Sequence, residues 1–182
     1  MKEILLQFKE PTIYLILALI ILVFSSGRKY ININGIIFNY FKKFILNNYK
    51  VIPIMFFFPI CLAIATAIAK EIDDNLLEII TVAISILMSL FFTYLSFFQN
   101  IQDYTKSKQG NVNVKKQIDV YAEETKAVAS YEIFVSILIL ILCFIHPIYS
   151  TKIIDGIIFF LFYHLLINLL VLLKRYNNKL SF

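Results

Sequence analysis

The sequence predicts an all-α, polytopic membrane protein: two transmembrane helical hairpins, four helices in all, with a fifth membrane helix expected near the N-terminus. Three observations predict it. Of the 182 residues, 60% are hydrophobic and the mean hydropathy is +0.79, whereas soluble domains are roughly 45–50% apolar. Charged residues make up only 16% and fall almost entirely between long uncharged blocks, the pattern of segments that sit in lipid. Finally, Lys and Arg alternate between the two sides that those blocks define.

The blocks cover residues 11–26, 51–69, 79–100, 133–150 and 156–173. Lipid cannot satisfy backbone polar groups, so each crossing segment must be helical. Residues 11–26 reach about 24 Å as a helix, marginal against a hydrocarbon core of about 30 Å. A full span or an interfacial helix is expected there. A cleaved signal ending at Ser25-Ser26-Gly27 would put Arg28, Lys29, Lys42, Lys43 and Lys50 outside, against the charge rule. In residues 51–69, Pro53 and Pro59 should kink or loosen the first half of the helix.

Short connections make sequence neighbours antiparallel. Blocks two and three are joined by Lys70–Glu78, and blocks four and five by a turn from Pro147 to Asp155. The stretch 28–50, the link 103–132 and the C-terminus carry the basic residues, while each hairpin turn carries one, Lys70 or Lys152. The expected topology is therefore multi-pass in the inner (cytoplasmic) membrane, with the C-terminus in the cytoplasm. Heavy use of Lys, Ile and Asn points to an AT-rich bacterial genome. The +5 net charge serves this orientation. With no basic soluble domain, direct nucleic-acid binding is not expected.

Two segments lie between. In residues 31–50, Ile33, Ile36, Ile37, Tyr40, Phe41, Phe44 and Ile45 recur at helical spacing among Asn and Lys, as in an amphipathic interfacial helix. It either fixes where block two enters or acts as a lever or lipid sensor. The cytoplasmic link 103–132 is too short for its own core. It is either a solvated linker or a docking arm for a soluble partner. The whole chain, 1–182, reads as one membrane domain.

Polar residues inside apolar blocks are costly and carry the functional candidates. Thr81, Ser85, Ser89 and Thr93 recur every fourth residue, forming one hydroxylated stripe that drifts about 40° per step. The stripe is either a wetted pore wall or a close helix interface with interhelical hydrogen bonds. Ala63 and Ala67, and Cys61, Ala65 and Ala69, repeat at the same interval as small-residue packing surfaces, expected against block three or a second copy. His164 and Asn168 sit one turn apart in block five. They form a proton relay or gate, or they hydrogen-bond a neighbouring helix, with the stripe as the natural acceptor. Glu132 and Ser136 stand at the cytoplasmic mouth of block four, where Glu132 marks the interface. His146 is expected to be solvated at the outer turn.

No nucleophile elbow, His-Glu-x-x-His, phosphate loop, EF-hand or metal-ligand spacing is present in the sequence, and no acid is expected mid-span. No enzyme activity, cofactor or metal is therefore expected. On the run Leu76–Leu87 (LLEIITVAISIL) and the run Phe159–Arg175 (FFLFYHLLINLLVLLKR), the last two-thirds of the chain resembles small multi-span bacterial membrane proteins of anti-phage defence (abortive-infection type) systems. That resemblance implies a homo-oligomeric membrane effector or sensor, channel-like, embedded in the lipid bilayer. The alternative is a membrane anchor or scaffold that docks a soluble cytoplasmic partner through residues 103–132. A bacteriocin-immunity-like protein would look much the same.

Overall fold

The computed structural model describes residues 32–107, 112–148 and 151–179, so the expected segment 11–26 lies outside the described residues, as does the first part, 108–111, of the turn that the sequence Lys108–Asn113 suggests, while Val112 and Asn113 are already helical. The chain divides into two compact units, Met1–Phe38 and Asn39–Phe182. Every element among the described residues is helical. In the first unit, helix α1 (Ile33–Asn39) begins at Asn32, whose side-chain oxygen accepts the Gly35 backbone N–H at 2.8 Å. This is an N-cap satisfying one of the orphan donors of the first turn.

The second unit starts with a wide π-helical turn, Tyr40–Ile45, a tighter 3-10 turn, Leu46–Val51, and a second π-helical turn, Pro53–Phe57. Helices α2 (Phe58–Ala69), α3 (Asp74–Ser107), α4 (Val112–Ile145) and α5 (Lys152–Lys179) follow. Three of them contain stretches long and apolar enough to cross a membrane: Asp74–Asn100, Asp119–Ile145 and Lys152–Lys174. Pro53–Ala69 is a shorter apolar helix. Large apolar side chains such as Ile68, Ile79, Ile86, Phe144 and Ile153 point outward, as lipid-facing residues do.

The sequence dictates how α3 and α4 pack. Ile80, Ile84, Leu87, Phe91 and Phe98 are buried along α3, at the alternating steps of three and four that define a helix seam. On α4 the matching seam is Ala122, Thr125, Ala129, Glu132, Ser136, Ile139 and Cys143. It begins well before residue 133, so the link 103–132 is not a solvated linker. Its described parts continue the two helices, and from Ala122 onward one face is packed.

Two further expectations change. Block two does not pair chiefly with its sequence neighbour: α2 packs against α5, while α3 packs against α4 and α4 against α5. The reason is local. Lys70, at the end of α2, is extended (φ −150, ψ 131), which carries the chain away before α3 begins. Asp73 then caps α3, accepting the Leu76 N–H at 2.8 Å. That hydrogen bond, with Lys70 nearby, holds the Asp73 carboxyl below its ordinary range. The small-residue rows split accordingly. Ala63 is buried and Ala67 half-buried, while Cys61, Ala65 and Ala69 face outward. The expected helix of residues 31–50 is helical over its described part but changes winding after Asn39, whose own backbone stays helical (φ −64, ψ −40), and Tyr40 and Phe44 are buried in the core.

Candidate functional site

Among the described residues, the buried polar side chains gather mainly at one place in the bundle. Five groups from four segments meet there: Tyr40 in the first π turn, Met55 in the second, Glu132 on α4, and His164 with Asn168 on α5. All five residues are buried.

Asn168 is the hub. Its side-chain oxygen accepts the Tyr40 hydroxyl at 3.2 Å. Its side-chain nitrogen donates to Glu132 Oε1 and lies 2.9 Å from His164 Nε2. His164 Nδ1 is 2.9 Å from the Met55 carbonyl oxygen, and Nε2 is 3.9 Å from Glu132 Oε1. The Tyr40 hydroxyl also lies 4.0 Å from Met55 Sδ. Aromatic rings wall the cluster. Tyr131 stacks on Tyr40 with centroids 3.9 Å apart, and Phe56 and Phe160 flank the imidazole at 5.1 Å and 5.9 Å.

Each member is there for a local reason. His164 and Asn168, four residues apart, share a helix face. Glu132 belongs to the buried seam of α4, and Ser136, a turn later, bonds the Glu132 carbonyl at 2.8 Å. The Met55 carbonyl is open because an α-helix would bond it to the N–H of residue 59, and Pro59 has none. Pro59 thus does more than loosen the helix: it exposes the acceptor that His164 uses.

The hydroxylated stripe lies elsewhere. Ser85, Ser89 and Thr93 are exposed and Thr81 is half-buried. The hydroxyls of Thr81, Ser85 and Thr93 each donate to the carbonyl four residues back, at 2.8, 2.9 and 3.0 Å. The stripe is therefore not the acceptor for His164 and Asn168: Ser85 and Thr93 point outward and bond their own helix, and Thr81, at the inner edge, meets Cys143 of the α4 seam. Glu132 is not an interface marker either. It is buried in the bundle, midway along the stretch Asp119–Ile145 that is long and apolar enough to cross a membrane.

A second polar contact closes the opposite end. His146 is buried rather than solvated, and its Nε2 lies 2.6 Å from Asp155 Oδ1. The other Asp155 oxygen accepts the Ile72 N–H at 3.4 Å. One carboxylate thus ties the α4–α5 turn to the α2–α3 connection. Thr151 Oγ1 caps α5 through Ile154 N–H at 3.3 Å.

Sequence reasoning found His164 and Asn168 and missed Tyr40, Met55 and the role of Glu132. The signal for Met55 was Pro59. The signal for Glu132 was its place in the spacing Thr125, Ala129, Glu132, Ser136. Among the described residues no group of three or more His, Cys, Asp or Glu is placed to hold a metal ion. No family model, curated protein or solved structure matches this chain.

Proposed function

We propose that this chain is a multi-pass protein of the bacterial inner membrane that works as a homo-oligomeric, channel-like effector or sensor of the anti-phage defence type. In this reading residues 51–69 add a fourth span to the three long apolar helices, residues 11–26 add a fifth, and the C-terminus is cytoplasmic. The observation that carries the oligomer is the outward hydroxylated face of α3. One face of that helix is filled by α4, and on the opposite face Ser85, Ser89 and Thr93 form a row of small hydroxylated residues among the exposed Val82, Ile86 and Phe92. Small residues with self-satisfied hydroxyls let helix backbones approach closely. A ring of copies joined through this face places hydroxyls along a shared surface, and four or five helices enclose too little space to do so alone.

The test is the mass of the full chain in lipid nanodiscs by native mass spectrometry, followed by ion flux in proteoliposomes. A discrete oligomer is expected, with Ser85→Leu and Ser89→Leu dispersing it and abolishing flux. A monomer at all protein-to-lipid ratios overturns the reading.

A further inference from the structure

The hydrogen-bond roles in the buried cluster follow from what each atom can do. The Met55 carbonyl can only accept, so His164 Nδ1 carries the hydrogen. The Asn168 oxygen faces the Tyr40 hydroxyl, which leaves its NH2 group for Glu132 and His164. Asn168 has two N–H bonds and uses one on each. His164 Nε2 is then an acceptor, and the imidazole is neutral. Four donors meet four acceptors, and one atom is left over: Glu132 Oε2 is buried without a hydrogen-bond partner.

We propose that Glu132 and His164 form a site that takes up and releases a proton inside the bundle, and that the Asn168 amide registers which state the site is in. The unpartnered Glu132 oxygen is where a proton can be added without displacing a donor, and adding it removes the charge that holds the Asn168 NH2 group on Oε1, which is what the amide passes on to Tyr40. His164 Nε2 is the alternative seat, 3.9 Å from Glu132 Oε1. A proton there would set two N–H donors against each other, on His164 and on Asn168. The amide then turns over, offering its oxygen to the imidazole and its NH2 group to Tyr40, whose hydroxyl must change from donor to acceptor.

Tyr40 is held on its other side by stacking on Tyr131, and its turn is tied to α4 by Lys43 and Glu123 at 2.8 Å. The state of the amide is therefore passed to the turn that leads the chain toward α2. The proton comes from water and returns to it, and no heavy-atom bond is made or broken. With Lys174 at the cytoplasmic boundary, Asn168 lies about 9 Å of helix inside it, so the cytoplasm is the nearer source.

The titratable groups facing Glu132 are His164 from α5, Tyr40 from the turn and Tyr131 beside it on α4. Among the described residues, the Lys ion pairs are made with Glu123, Asp73 and Glu71 instead. Among the described residues that carboxylate has one N–H donor and no Lys or Arg ion pair, which makes gain or loss of a proton a large electrostatic change. The site does not depend on how many copies assemble.

Infrared difference spectra of the full chain in nanodiscs, acid minus alkaline, test this with the proton as probe. The expected result is a carboxyl C=O band that titrates, shifts in D2O, and lies above the exposed carboxyls because the buried carbonyl, Oε1 once Oε2 is protonated, accepts only the single Asn168 N–H instead of several waters. Glu132→Gln keeps the acceptor for Asn168 and should lose the band. His164→Gln should move its midpoint by about one pH unit or more. Tyr40→Phe should keep the band but lose a tyrosine signal that titrates with it, a change that a purely structural cluster would not produce. If the wild-type protein shows no such titrating band across the range in which it stays folded, the proposal is wrong. That readout needs no variant to fold.

Discussion

Helices α3 and α5 carry the same mark in sequence, polar residues four apart in an apolar run, and use it in opposite ways. On α3, Thr81, Ser85 and Thr93 return their hydroxyls to their own backbone and the row turns outward. On α5, His164 and Asn168 turn inward and draw partners from three other segments. The difference lies in the side chains. A hydroxyl can donate to the carbonyl one turn back, so a Ser or Thr is satisfied in any helix, whatever lies beside it. Imidazole and carboxamide groups cannot close on their own helix in this way. They must find partners across the bundle, so they fix which elements meet.

The comparison can be broken most sharply at Asn168. Asn168→Leu strips Glu132, His164 and Tyr40 of their common partner and leaves a carboxyl buried with nothing to bond. A loss of about 3–5 kcal/mol is expected, read by chemical unfolding in detergent micelles. The same change in a Glu132→Leu background should cost much less, because the buried carboxyl, the costliest of the groups left unpaired, is already gone. At the other end, Asp155→Ala frees His146 and Ile72 together. It should cost about 1.5–3 kcal/mol and speed amide exchange at Ile72.

Ser85→Ala and Ser89→Ala should lie within about 0.5 kcal/mol of the parent. A cost approaching that of Asn168→Leu would mean that these hydroxyls serve another copy rather than their own helix. The smallest effect belongs to Asp73. Its carboxyl is lowered in the folded protein, chiefly by the Leu76 N–H. Its contribution is therefore present above the unfolded carboxyl's ordinary value and is lost as pH falls through the folded one. Asp73→Asn should flatten the acid-side change in Leu76 amide exchange.

The contrast also marks how far the sequence could be read. The helical class and the apolar stretches on α3, α4 and α5 were legible because a bilayer demands uncharged length, which composition records directly. The polar pair on α5 was legible from its spacing. Its partners were not: Tyr40 and Asn168 lie 128 residues apart, and Met55 and His164 lie 109 apart. Glu132 was hidden by the very rule that located the spans, since a charge was taken to end block four when the helix runs on from Val112. The pairing of α2 with α5 was hidden because a short connection suggests adjacency, and the extended Lys70 overrides it.

The long reach of these contacts has a consequence for biosynthesis. The chain enters the membrane from its N-terminus, yet Tyr40, Met55 and Glu132 all wait for residues of the last helix. Until His164 and Asn168 arrive, the earlier segments hold an open carbonyl, a phenol and a carboxyl with no amide between them. A ribosome that stalls before Asn168 leaves that half-built polar centre in place, so insertion of α5 is the step that closes the fold.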